Sequence, residues 1–239
     1  MPKLGLISLG CAKNLVDSEH MLARLRDAGW EITEDMTEAD VGVVNTCGFI
    51  ESAKTEAIEN ILEACSYKQA NPNLKVVVTG CLAERYRSQI EEEIPEVDAV
   101  VGCASNKAID SIVARLFNGE DHLESYGLKK DFPLGGKRVI GTPAHYAYLK
   151  IAEGCNNRCH YCAIPGIRGP LRSREMDDCV AEARWLAGEG VKELIIVAQD
   201  PTAYGEDWGK PGSICELLDK LNKIPGLEWI RIMYAYPER

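Results

Sequence analysis

Four short apolar runs in this chain each end in a cysteine and pass directly into a segment of helical pattern, and that repeated unit limits the fold more than any other feature. Lys3 to Leu9 ends in Gly10-Cys11, Val41 to Val44 leads into Thr46-Cys47-Gly48, Val76 to Val78 into Gly80-Cys81, and Ala99 to Val101 into Gly102-Cys103. After the first run Leu15, Leu22 and Leu25 recur at helical spacing until Gly29 stops the helix. Further helices are expected over roughly Ala53 to Tyr67, then to about Glu92 and to about Phe117, with a shorter strand at Trp30 to Thr33. Strands that alternate with helices predict an α/β domain with a parallel, doubly wound sheet. Ligands of such sheets bind beyond the carboxyl ends of the strands, where these four cysteines stand. An isolated cysteine after a strand reads as a small buried residue. The same placement four times over predicts side chains that converge, and because they are far apart in sequence it points to a metal centre rather than a local zinc motif.

From Gly119 to Pro143 the periodicity fades while Gly127, Pro133, Gly135, Gly136 and Pro143 accumulate, which predicts an interdomain linker over residues 120–143. The first domain is therefore expected over residues 1–119 and the second over 144–239. In the second, strands are expected at Tyr146 to Ala152, Glu193 to Ala198 and Trp229 to Tyr234. Helices are expected at Met176 to Ala187, closed by Gly188, and at Ser213 to Asn222. Three β/α steps in this order predict the opening half of a barrel, with chemistry at the carboxyl ends of its strands.

The loop after the first of those strands reads EGCNNRCHYCAIP and places Cys155, Cys159 and Cys162 within eight residues, spaced C-x3-C-x2-C. Three thiolates this close can wrap one corner of an iron-sulfur cube, which ordinarily takes four. A missing fourth ligand leaves one iron open, and an open position on a metal is where a substrate or cofactor binds. The competing reading is a structural zinc site with His160 as fourth ligand. Zinc sites are usually built from two separated pairs, whereas His160 directly follows Cys159 and no second pair lies nearby.

Charge narrows the partners. Lysine and arginine number 27 against 37 aspartates and glutamates, a net charge of −10, so the chain as a whole is not expected to bind nucleic acid or an anionic membrane. Its one dense basic run, Arg168, Arg172 and Arg174, lies beside the cysteine loop and reads either as a solvated loop or as a contact for an anionic substrate. Ten cysteines in 239 residues are too few for a disulfide scaffold and point to a reducing cytoplasm. Ser8 to Cys11 has the form of a lipoprotein cleavage box, but too few apolar residues precede it for a secretory signal. No apolar run approaches the roughly twenty residues of a membrane span.

At the cysteine loop the sequence resembles the radical S-adenosylmethionine (SAM) enzymes, and the longer string GCNNRCHYCAIPGIRGPLRSR is similar to their methylthiotransferase branch. The resemblance implies that Cys155, Cys159 and Cys162 hold a 4Fe-4S cluster whose open iron chelates SAM, with Tyr161 just before the last ligand. Gln199 and Asp200, at the end of the second strand of this domain, are candidates for SAM contact, with ordinary loop polarity as the alternative. GCAKNLVDSE, NTCGFIESAK and TGCLAER are similar to the N-terminal domain of the same family and imply a second 4Fe-4S cluster on Cys11, Cys47 and Cys81. Cys103 falls outside that pattern and, like Cys65, Cys179 and Cys215, is expected to be structural.

The resemblance further implies a methylthio transfer that begins with a deoxyadenosyl radical made from SAM. GCAKN and NTCGFIESAK are closer to the protein-modifying branch, which acts on an aspartate β-carbon of the small-subunit ribosomal protein at the decoding centre, than to the branch that modifies a transfer-RNA adenosine. The partners implied are that ribosomal protein and an electron donor such as flavodoxin or ferredoxin, with no membrane and no direct nucleic-acid binding. The family closes its barrel with further β/α units and adds a small C-terminal β domain, both expected to lie beyond Arg239. An electron carrier with two clusters is the alternative of another class, but a carrier is expected to saturate each cluster with four cysteines.

Overall fold

The structure, a computed structural model, describes residues 1–236, and the chain forms two compact units. The first comprises residues 1–133 and 137–139, the second the remainder. Each is described separately.

In the first unit the chain runs β1 (Lys3–Ser8), α1 (Ala12–Asp27), β2 (Glu31–Thr33), β3 (Val41–Thr46), α2 (Glu51–Ser66), β4 (Lys75–Gly80), α3 (Cys81–Arg85), α4 (Arg87–Glu93), β5 (Ala99–Gly102), α5 (Ile109–Phe117) and β6 (Leu123–Ser125). The strands pair in the order β2-β1-β3-β4-β5-β6, all parallel. Helices cover both faces, which is why β3 and β4 read as continuous apolar runs without alternation. Val44, Val76 and Val78 pack with Ala57 and Ile61 of α2 and Ile90 of α4 on one face. On the other face, Val41, Val43 and Val77 meet Met21 and Leu25 of α1 and Ile109, Ile112 and Leu116 of α5. All strands point the same way, so the loops carrying Cys11, Cys47, Cys81 and Cys103 leave the same edge of the sheet.

Two details differ from the sequence expectation. The helix expected to run unbroken from β4 to about Glu92 is split at Tyr86, whose backbone (φ −126°, ψ 34°) is not helical. Its ring packs against the core while Arg85 and Lys54 lie over it, and this seat turns the chain between α3 and α4. The stretch 120–143 is not bare connection, because Leu123–Ser125 pairs with β5 and extends the first sheet.

The second unit runs β7 (Tyr146–Lys150), β8 (Ala152–Glu153), α6 (Ile164–Arg168), β9 (Arg172–Ser173), α7 (Met176–Gly188), β10 (Glu193–Val197), α8 (Ser213–Leu221) and β11 (Trp229–Ile232). Its parallel sheet has the order β11-β10-β7. Leu149, Leu194 and Ile196 pack against Ala183 and Leu186 of α7 and Leu217 and Leu221 of α8 in one core. The run expected as one strand to Ala152 leaves the sheet after Lys150. Ala152 and Glu153 turn away to pair antiparallel with Ser173 and Arg172, and that turn aims the cysteine loop. Among the described residues no helix is long and apolar enough to cross a membrane.

Candidate functional site

In the first unit the turns that carry Cys11, Cys47 and Cys81 approach one another closely. Gly10 has φ +88°, and a Cβ placed on it would fall 2.6 Å from Cys47 Cβ and 3.0 Å from Cys47 Sγ. The turn that carries Cys11 therefore lies directly on Cys47, and only a residue without a side chain fits there. Gly48, just past Cys47, is pressed in the same way against the next loop, where a Cβ would fall 2.8 Å from Leu82 Cα and 3.1 Å from the carbonyl carbon of Cys81. Arg85 Nη1 donates to Gly48 O at 3.0 Å and holds a guanidinium beside that loop. Cys11 and Cys47 are half-buried and Cys81 is buried. Cys103 is buried at the start of a 3-10 segment, Cys103–Ala108, with only 1% of its surface exposed.

Beneath these loops lies a buried polar network. Asn14 Nδ2 donates to Leu9 O at 2.7 Å and to Asn45 O and Thr46 O at 3.3 Å each, while Asn45 Nδ2 donates to Asn14 O at 3.0 Å and to Ser18 Oγ at 2.8 Å. Thr46 Oγ1 donates to Thr79 O at 2.5 Å, and Thr79 Oγ1 to Asn106 Oδ1 at 2.7 Å. None of these residues stood out in the sequence. A buried asparagine looks like loop polarity until the carbonyls it serves are known.

In the second unit the cysteine loop is held by contacts with the end of α6 and with the segments that follow β10 and β11. Cys155 N donates to Gly169 O at 3.1 Å, Cys162 N to Cys159 O at 3.0 Å, and Asn157 N points at Cys155 Sγ from 3.4 Å. Asn157 Nδ2 donates to Asp200 Oδ2 at 2.6 Å, which joins the loop to the end of β10. Tyr236 OH lies 3.9 Å from Cys159 Sγ, so the segment after β11 reaches the loop too. All three thiols are half-buried. Burial pushes the Cys155 thiol above its ordinary range against the opposing pull of the Asn157 N–H, and the charge of Asp200 adds to the rise. Contact with Cys159 raises the Tyr236 hydroxyl in the same sense.

Glu153 is the hub behind this loop and is fully buried. Its Oε1 accepts from Gln199 Nε2 at 2.6 Å and from Gly154 N at 3.2 Å, and its Oε2 from Arg168 Nη1 at 3.0 Å and Lys150 Nζ at 3.3 Å. Arg168 thus folds inward, while Arg174 is buried against Glu182 at 2.5 Å. Two members of the basic run read from the sequence are accordingly structural. Gln199 Oε1 is buried with no hydrogen-bond partner among the described residues, an acceptor suited to a ligand's donor. Asp200 is 1% exposed and accepts from Asn157, from Thr202 N at 3.1 Å and from Thr202 Oγ1 at 2.5 Å, so its carboxylate holds the loop. Tyr161 stands at the tip of the loop with 85% of its surface exposed.

Among the described residues no three His, Cys, Asp or Glu side chains are gathered tightly enough to hold a single metal ion, and His160 completes no zinc set with the loop cysteines. An iron-sulfur cube asks for something else, since each thiolate binds a different iron and the sulfurs stand farther apart than ligands on one ion. Both sets fit such a group by donor chemistry: three thiols apiece on loops fixed from behind, with a backbone N–H already aimed at one sulfur. No disulfide joins any of the ten cysteines among the described residues.

Comparison with known proteins agrees with this division. Residues 3–120 match the uncharacterized protein family UPF0004, and residues 149–237 match the radical SAM superfamily. The chain is 51% identical to the ribosomal protein uS12 methylthiotransferase RimO of Acetivibrio thermocellus over 99% of its own length and 53% of that protein. It is 50% identical to the protein of the same name from Aquifex aeolicus, covering 98% of this chain and 50% of the relative. The chain thus spans about half the length of the curated relatives it matches. Among solved structures, the radical SAM methyltransferase TsrM of Kitasatospora setae superposes with a TM-score of 0.63 over 92% of this chain and 52% of that one, at 13% identity. The radical SAM enzyme OxsB gives 0.56 over 100% and 40%, also at 13% identity. These two likenesses bear on the fold alone.

Proposed function

We propose, for a chain that belongs to the radical SAM methylthiotransferases, that it is part of an enzyme placing a methylthio group on the aspartate β-carbon of ribosomal protein uS12. The observation that carries the reading is the pair of separate three-thiol sets, each on loops at the carboxyl ends of parallel strands. Identity near 50% over almost the whole chain to relatives named for that substrate supports the same reading.

Cys155, Cys159 and Cys162 would hold one 4Fe-4S cluster, with SAM on its open iron, and Cys11, Cys47 and Cys81 a second. When bound, these groups supply the electron that breaks a carbon–sulfur bond of SAM, the carbon radical that takes hydrogen from an unactivated carbon, and the sulfur that replaces it. The protein's own part is to orient. Glu153, through Gln199, and Asp200, through Asn157, fix the loop against the end of β10 and so restrain the segment that carries the three thiols. Gln199 offers its buried acceptor to a donor on SAM, for which the amino group is suited. Half-burial of the thiols limits water around them, and metal binding at neutral pH must displace the proton that burial favours on Cys155. The working partners are an electron donor of flavodoxin or ferredoxin type and a reducing cytoplasm that keeps ten cysteines as thiols.

Anaerobic reconstitution tests the reading. About eight irons and eight sulfides per chain are expected, falling to about four when Cys155, Cys159 and Cys162 are together replaced by alanine, with loss of SAM cleavage. Mass spectrometry of uS12 and of tRNA, after incubation with a full-length protein that carries this chain, separates the two candidate substrates. Methylthioadenosine in tRNA with unmodified uS12 would move the assignment to the RNA branch.

A further inference from the structure

We propose that Asn14 is a positioning residue for the second thiol set, fixing the distance between the turns that carry Cys11 and Cys47. The inference rests on the reading of Cys11, Cys47 and Cys81 as cluster ligands and adds the residue that holds two of them in register.

Asn14 lies in the first turn of α1 with 1% of its surface exposed. Its carboxamide has two N–H groups and meets three backbone carbonyls, Leu9 O at 2.7 Å and Asn45 O and Thr46 O at 3.3 Å each, so one hydrogen is shared between the two longer contacts. Leu9 stands two residues before Cys11, and Thr46 immediately before Cys47. One side chain therefore ties together the ends of β1 and β3 where both leave the sheet, beside the last backbone bond between them, Leu9 N to Asn45 O at 2.9 Å, and carries the tie one residue further, to Thr46 O. The tie is reciprocal, because Asn45 Nδ2 returns a bond to Asn14 O at 3.0 Å and another to Ser18 Oγ at 2.8 Å, and Ser18 Oγ in turn donates to Ser8 Oγ at 2.8 Å. No aspartate, leucine or alanine can reproduce this, for none supplies two donors at that reach.

The same molecule contains a natural control. Asn71, ahead of β4 at the opposite edge of the sheet, also donates to two carbonyls, Ala39 O at 2.8 Å and Thr37 O at 3.3 Å. It performs a comparable staple with no cysteine loop near it. A merely structural role predicts similar consequences for the loss of either asparagine, whereas a positioning role predicts that they part.

The experiment uses the chain with Cys155, Cys159 and Cys162 replaced by alanine, so that all iron belongs to the remaining set. Asn14→Ala and Asn71→Ala are compared with this parent for melting temperature, for the rate at which a chelator strips iron, and for the EPR spectrum of the reduced cluster. Both variants are expected to melt lower. Only Asn14→Ala should lose iron about tenfold faster and shift the EPR g-values, as loss of a supporting partner around a metal does. If Asn14→Ala fails to fold, Asn14→Ser, which keeps one donor, is expected to lie between parent and alanine. Equal iron release from parent and Asn14→Ala, or equal acceleration by Asn71→Ala, overturns the proposal while leaving the ligand assignment intact. A parent that binds no iron overturns both.

Discussion

Asn157 and Asp200 meet at 2.6 Å, joining the middle of the cysteine loop to the residue pair that follows β10. A hydrogen bond onto a buried carboxylate is among the stronger kinds, so Asn157→Ala should cost the second unit about 2 kcal/mol in urea unfolding. Because both partners serve one bond, Asp200→Ala added to Asn157→Ala should cost clearly less than it does alone. Strictly additive losses would show that the bond contributes nothing.

Gly10→Ala is expected to damage the second thiol set more than the fold. The left-handed backbone alone costs about 1–2 kcal/mol with a side chain present. The new methyl would in addition stand 2.6 Å from Cys47 Cβ, so Cys47 must move. Reconstituted iron should fall from about eight toward about four per chain while the first unit still melts cooperatively. Full iron occupancy in this variant would count against a cluster at that edge.

Two buried thiols make stability depend on alkaline pH. Burial raises Cys65 to about 11 and Cys179 to about 12. An unfolded thiol ionises near about 8.5, so above that pH the unfolded chain releases protons that the folded chain keeps. The contribution is whole below about pH 8.5 and is lost as pH climbs toward the folded values, with a slope approaching about 1.4 kcal/mol per pH unit for each thiol. The urea midpoint should therefore drop between about pH 8 and about pH 10.5, and Cys65→Ala should flatten the part that belongs to the first unit. In the same range iodoacetamide should label the exposed Cys215 well before either buried thiol. A midpoint that rises with pH contradicts the argument.

Arg138 and Glu19 form a buried ion pair, with Arg138 Nη2 and Nε reaching Glu19 Oε2 at 2.5 and 3.0 Å and side chains 0% and 1% exposed. Arg138→Ala would take the buried guanidinium away from a buried carboxylate and should cost the first unit about 3–5 kcal/mol, whereas Arg138→Met with Glu19→Leu should cost far less. Calorimetry of the three proteins decides between them. Equal losses in the single and double variants would mean that packing, not charge, is at stake.

The sequence was most informative where a pattern is local. The apolar runs of β3 and β4, the helices around Leu22 and Ile112, and the C-x3-C-x2-C spacing of Cys155, Cys159 and Cys162 could be read because period and spacing are properties of neighbouring residues, whereas the choice of Cys11, Cys47 and Cys81 among four strand-end cysteines came only from the family resemblance. It was silent where a residue acts through partners distant in the chain. Asn14 serves carbonyls near residue 45, Glu153 gathers Lys150, Arg168 and Gln199, and neither carries a mark of that in its own surroundings. The break at Tyr86 was hidden for the related reason that helix propensity favours continuing the helix, and a tertiary seat for one ring overrides it. Asp200 and the arginines show the converse. Residues beside the cysteine loop could be read either as ligand contacts or as ordinary loop polarity, and in the structure Asp200 bonds Asn157 and Thr202 while Arg168 and Arg174 are buried against Glu153 and Glu182.

Strand order in the first sheet also carries a timetable. From β1 outward the order β1-β3-β4-β5-β6 follows the chain, and only β2 is laid on the far side. A nascent polypeptide leaving the ribosome can therefore add each new strand beside the last without waiting for a later one, and N-terminal units generally complete themselves first during synthesis. Cys11, Cys47 and Cys81 all precede β5, so their edge of the sheet exists before Cys155 has been translated. The two sets of three thiols are therefore made in sequence rather than together, and the N-terminal set stands on a folded sheet first.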